Sequence, residues 1–138
     1  MEVYQRALVF VRTASALRTT LLRRHAGLAD QLDRAAVSIA LNIAEGAGEF
    51  ARREKARFYR IARRSATECA AILDVTHELR LADEEAVRAG KEQLRAIVGS
   101  LIGLGKKMES EAASASPLPV PSEAGAEVYK AQARRGGG

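Results

Sequence analysis

Residues 31–46 read QLDRAAVSIALNIAEG. Leu32, Ala36, Ile39 and Ile43 recur at helical spacing, so the stretch is an amphipathic helix with one apolar stripe. Asn42 stands on the edge of that stripe, where a buried amide must find hydrogen-bond partners or cost a few kcal/mol. The reading that follows is structural. Asn42 bonds a neighbouring helix and fixes register, as polar residues at a seam do. Glu45 caps a subunit contact or pairs with an arginine. Gly46 and Gly48 close the helix, since glycine readily takes the left-handed conformation.

The pattern extends to both sides. Before this helix, Val3, Ala7, Phe10, Ala14, Leu17 and Leu21 form a heptad seam that predicts a helix from about Val3 to Leu22. The segment Arg23–Leu28 breaks it, with the second helix from about Leu28 to Glu45. A third helix is expected from about Phe50 to Leu81, with Phe58, Ile61, Ala62, Ser65, Cys69, Ile72, Thr76 and Leu79 as its core face. Asp83 is a good N-cap for a fourth, with Glu84 and Glu85 at the positive end of its dipole. Val87, Leu94, Leu101 and Met108 carry its seam, with Gly90, Ile97 and Leu104 between. From Ser110 the pattern stops, and all three prolines of the chain follow. The expected architecture is all-α: an up-down-up-down antiparallel four-helix bundle over residues 1–110. A flexible, disordered tail is expected over residues 111–138.

Composition narrows the chemistry. The chain has 138 residues, 4% aromatics and no tryptophan, which favours helices over strands. Its single cysteine, Cys69, excludes an internal disulfide and reads as a small buried hydrophobe. The only histidines are His25 and His77, and neither follows a glutamate at the three-residue spacing of a di-metal bundle site. Cys69 and His77 are about 12 Å apart along one helix, too far for a dyad. No enzyme, metal or cofactor is expected. Neither a membrane span nor a secretory signal is visible, so the expected location is the cytoplasm.

Charge is the strongest functional signal. The net charge is +5, and the acids and bases of residues 111–138 cancel, so the surplus lies in the bundle. Between Phe50 and Arg64, seven bases (Arg52, Arg53, Lys55, Arg57, Arg60, Arg63 and Arg64) face one acid, Glu54. Arg53, Arg57, Arg60 and Arg64 share one helical face, placed on a flank of the core. Arginine matches phosphate geometry through bidentate bonds, and Tyr59 beside the stripe is placed to stack on a base. Arg52, Arg53, Arg57, Tyr59, Arg60, Arg63 and Arg64 are therefore the candidate nucleic-acid-binding residues. Alanines at 51, 56, 66 and 70 offer small surfaces for packing between subunits.

Two stretches, RAAVSIALNIAEGAG (34–48) and ARFYRIARRSATECAAIL (56–73), resemble the 23S rRNA-intervening-sequence protein family. In the second, the family's aromatic, Ile-Ala pair, Ser and Glu match Phe58, Ile61-Ala62, Ser65 and Glu68. The resemblance covers about residues 1–108. It departs at RRHAGLAD (23–30), where the family usually has a proline-containing turn. It implies a four-helix bundle that assembles into a homopentamer. It also implies kinship with the accessory protein of diversity-generating retroelements, a nucleic-acid-binding partner of a reverse transcriptase. The expected function is a non-enzymatic, oligomeric accessory protein that binds RNA or DNA. The alternative is a self-assembling helical scaffold for a protein partner.

Overall fold

The computed structural model describes residues 1–115, which form four helices: α1 Glu2–Leu22, α2 Ala26–Gly48, α3 Arg52–Glu78 and α4 Glu84–Ser114. The connections are short, and the paired residues run in opposite directions along neighbouring helices. Gly46 meets Tyr59 while Ser38 meets Ser65, and Arg52 meets Glu111 while Asp74 meets Lys91. Each helix packs on its neighbours in the ring α1–α2–α3–α4–α1, which is the up-down-up-down bundle. Helix α4 continues to Ser114, four residues past the point where the apolar pattern fades, and Glu111 is held there by Arg52 at 2.7 Å. Of the expected tail, residues 116–138 lie outside the described residues.

Local chemistry sets the helix ends. His25 caps α2, its Nδ1 accepting from the Leu28 amide at 3.1 Å. Asp83 caps α4 through the Ala86 amide at 3.2 Å. Helix α3 closes with Arg80 in the left-handed region, φ 52°, where the Leu81 amide reaches back to the Thr76 carbonyl.

The α1 seam is buried at all six of its expected positions, and so is the Leu32, Ala36, Ile39 and Ile43 stripe of α2. Helix α3 differs from expectation. Its buried face is Ala56, Tyr59, Ala62, Ser65, Ala66, Cys69, Ile72, Leu73 and Thr76. Phe58 and Ile61 are only half-buried and Leu79 is exposed. The helix is thus rotated toward its alanines, because small side chains let α3 sit close to both α2 and α4.

Gly46 makes that rotation possible, and it does not end α2. It lies buried inside the helix, which runs on to Gly48, and no glycine among the described residues has a positive φ. A Cβ on Gly46 would stand 2.7 Å from Tyr59 Cε1 and 3.2 Å from the Phe58 Cβ. The missing side chain is the space that the Tyr59 ring fills. Gly90 works similarly in the second turn of α4, where a Cβ would stand 3.0 Å from Leu73.

Gly99 and Gly103 are different: a Cβ on either would meet nothing within 4 Å. Each costs helix α4 about 1 kcal/mol relative to alanine with no packing gained in the subunit. Gly99→Ala and Gly103→Ala together should raise the unfolding free energy by about 1–2 kcal/mol. Urea denaturation checks this, and a loss of stability would show that these glycines serve a contact outside the single bundle.

Candidate nucleic-acid interface

The α3 face opposite its buried residues carries Arg53, Arg57, Arg60 and Arg64, all exposed. At about 100° per residue, this stripe points away from the rotated core instead of flanking it. It is a ridge in solvent.

Its charge is less open than the local sequence implies. Glu54 pairs with Arg57 at 3.0 Å. Two acids arrive from α4, Glu109 on Arg60 at 3.4 Å and Glu111 on Arg52. Lys55 donates to the carbonyls of Gly46 and Ala47 at 3.2 and 3.0 Å, capping the C-terminal end of α2. Arg53, Arg63 and Arg64 make no ion pair among the described residues. The pairs that do form are exposed, each worth ~0–1 kcal/mol, so a phosphate competes with them readily.

Tyr59 does not stand beside the arginines as a free ring. It is 2% exposed, packed against Gly46, and burial pushes its phenol pKa up. A ring so covered has no face for a base, so its expected stacking role is corrected to one in packing. The Arg57 guanidinium lies 5.3 Å over the Phe58 ring, which occupies that aromatic face. Among the described residues, the aromatic left open is Phe50, 95% exposed in the turn before α3. Helix α3 begins at Arg52, two residues later than the sequence implies, which leaves Phe50 outside it.

Asn42 bonds within its own helix. Its amide donates to the Ser38 carbonyl at 2.9 Å and to Ser38 Oγ at 3.1 Å. Ser38 Oγ and Ser65 Oγ are 2.8 Å apart, so the link to α3 is made by a serine pair that Asn42 supports. Glu45 is exposed and forms no ion pair among the described residues. Cys69 is fully buried, and burial together with nearby Glu68 pushes its thiol up to about 12, which keeps it neutral and inert.

A further basic element was invisible from the local sequence. Between α3 and α4 lies a groove of about 220 Å³ with Arg60, Arg63 and Lys106 on its walls and Glu109 at its rim. Lys106 is forty residues away from this arginine segment in sequence, and only the antiparallel packing of α4 brings it there. The alanines expected to serve assembly are mostly used inside the bundle: Ala56 and Ala66 are buried and Ala70 is half-buried. Exposed apolar side chains remain on several helices, Val9 on α1 and Val75 on α3 among them, and α2 carries a run of them: Leu41 is 60% and Val37 is 37% exposed, with Ala44 one turn further on the same side.

Among the described residues, no three His, Cys, Asp or Glu side chains gather as a metal site, and no helix is long and apolar enough to cross a membrane. The model of the family described as "23S rRNA-intervening sequence protein" matches residues 1–103. The bundle is similar to the crystal structure of a protein of unknown function from the S23 ribosomal protein family of Bacteroides thetaiotaomicron. The TM-score is 0.71 at 22% identity, covering 75% of this chain and 98% of that one. At that identity the likeness speaks for the fold alone. No curated protein matches the chain.

Proposed function

The chain belongs to the 23S rRNA-intervening sequence protein family, and from that premise we propose that it is a non-enzymatic, self-assembling accessory protein of the cytoplasm that binds RNA or DNA through the basic side of α3. The observation that carries this reading is the run of exposed arginines along α3. Arg53, Arg63 and Arg64 have no acid on them among the described residues, and Arg52, Arg57 and Arg60 have only weak exposed pairs. Phosphate contacts of this kind position a backbone without reading bases, so binding is sequence-tolerant. Phe50, at the start of the stripe, offers the ring on which a base can stack. A reverse transcriptase is the protein partner that the family resemblance suggests.

Assembly belongs to the same reading. The resemblance implies a homopentamer, and the α2 face of Val37, Leu41 and Ala44 supplies an apolar contact independent of the basic side. A ring repeats the arginine stripe, and linked weak contacts gain through effective concentration. Leu41→Glu should lower the sedimentation mass while leaving helix content unchanged, because Leu41 touches solvent in the single bundle. A wild type that sediments as a monomer at tens of micromolar removes the assembly claim. For binding, anisotropy of a labelled single-stranded RNA at low salt is the test, with no change in anisotropy refuting it. The scaffold alternative then takes its place.

A further inference from the structure

The α3–α4 seam is charge-complementary along most of its surface. Asp74 meets Lys91, Arg60 meets Glu109, and Arg52 meets Glu111. One stretch breaks the pattern. Arg63 of α3 and Lys106 of α4 line the same groove, both exposed, and neither has an ion pair among the described residues. The apolar part of the lining is supplied by Leu101, Ile102 and Tyr59. Like charges set across a narrow cleft with low-dielectric walls repel each other and focus the field that attracts a counter-ion.

We propose that this groove is a phosphate seat, and that it holds a backbone phosphate of the bound nucleic acid between Arg63 and Lys106, with Arg60 as the third donor. The proposal rests on the nucleic-acid reading above and goes beyond it. It moves the closest contact from the outer ridge of α3 to the seam, and it adds Lys106 of a second helix.

Three features fit a phosphate. The groove, at about 220 Å³, is smaller than the ~300–1,000 Å³ of pockets that enclose drug-sized molecules, so it suits one anionic group and not a whole nucleotide. Gly105 lines it, and a Cβ there would meet nothing within 4 Å, so the bare backbone leaves the entrance open. The single acid at the rim, Glu109, holds Arg60 at a long 3.4 Å, with both side chains more than half exposed. An arriving phosphate displaces that carboxylate easily and gains a guanidinium that is bidentate by nature.

The test compares two charge-matched double variants. Arg63→Gln with Lys106→Gln empties the groove, while Arg53→Gln with Arg64→Gln removes the same charge from the ridge. All four side chains are exposed, so both variants keep the fold. The log–log salt slope of single-stranded RNA binding should become shallower by about 0.7 in the groove variant, the loss expected for one phosphate contact on a single strand. The ridge variant should lose less than half of that. Equal losses overturn the seat and leave the nucleic-acid reading standing. If the wild type binds no RNA, that reading fails, and inorganic phosphate then judges the groove by itself. Saturable amide shifts at Arg63, Gly105 and Lys106, absent from the groove variant, uphold a phosphate seat for a free phosphate ligand. Their absence overturns it.

Discussion

Gly46→Ala should destabilise the bundle by up to about 2 kcal/mol, although alanine is the better helix former. Its Cβ would stand 2.7 Å from Tyr59 Cε1 and 3.2 Å from the Phe58 Cβ, and neither can simply swing aside. The ring is 2% exposed and Phe58 Cβ is anchored to the α3 backbone. Overpacking of this sort costs about 1–3 kcal/mol, offset by the ~1 kcal/mol gained in helix propensity. The midpoint of thermal unfolding should fall by up to about 10 °C, by the scaling of small domains. Gly46→Val should cost about 3 kcal/mol, since it adds bulk where the α2–α3 contact is tightest. Adding Tyr59→Leu should recover part of the Gly46→Ala loss, because the two positions share one space and their effects do not add. A Gly46→Ala variant that is more stable than wild type would contradict the packing described for α2 and α3.

The second large effect is on binding. Replacing Arg53, Arg57, Arg60 and Arg64 with glutamine should flatten the salt dependence of RNA binding by about 1 in log–log slope. Four full phosphate contacts would remove about 2.8–3.6. The shortfall has two structural causes: Arg57 and Arg60 are partly neutralised by Glu54 and Glu109, and the proposed seat keeps Arg63 and Lys106 in this variant. Fold and oligomer should remain intact, since all four side chains are exposed and the exposed pairs they lose are worth ~0–1 kcal/mol each. Circular dichroism and sedimentation check those two points, and anisotropy against salt checks the slope. An unchanged slope would remove the arginine ridge from the interface.

The contrast between α1 and α3 shows where the sequence is legible. In α1 the large apolar residues are the core, so periodicity alone finds Val3, Ala7, Phe10, Ala14, Leu17 and Leu21. In α3 the equally regular seam Tyr59, Ala62, Ala66, Cys69, Leu73 and Thr76 competes with a bulkier one through Phe58 and Ile61. Hydrophobicity favours the bulkier face. Packing favours the smaller one, because Gly46 on α2 opens a slot for Tyr59. The clue was in the sequence, in the glycine of NIAEG, but its meaning depends on the residue opposite, which no single helix reveals. The candidate interface divides in the same way. The arginine run is read directly from residues 52–64. The acids from α4 that neutralise part of it, and Lys106 that reinforces it, lie about forty to sixty residues further on and are placed only by the antiparallel turn at residues 79–83.

The most direct test of the central claim is a salt titration of RNA binding by the wild-type protein, on a species whose mass is measured in the same solution. One subunit offering about four phosphate contacts gives a log–log slope of about −2.8 to −3.6. An assembled ring presenting the stripe repeatedly should give a steeper slope on an RNA long enough to reach two subunits, with little dependence on its sequence. No retention of RNA at about 50 mM salt, where phosphate contacts are strong, would contradict the account.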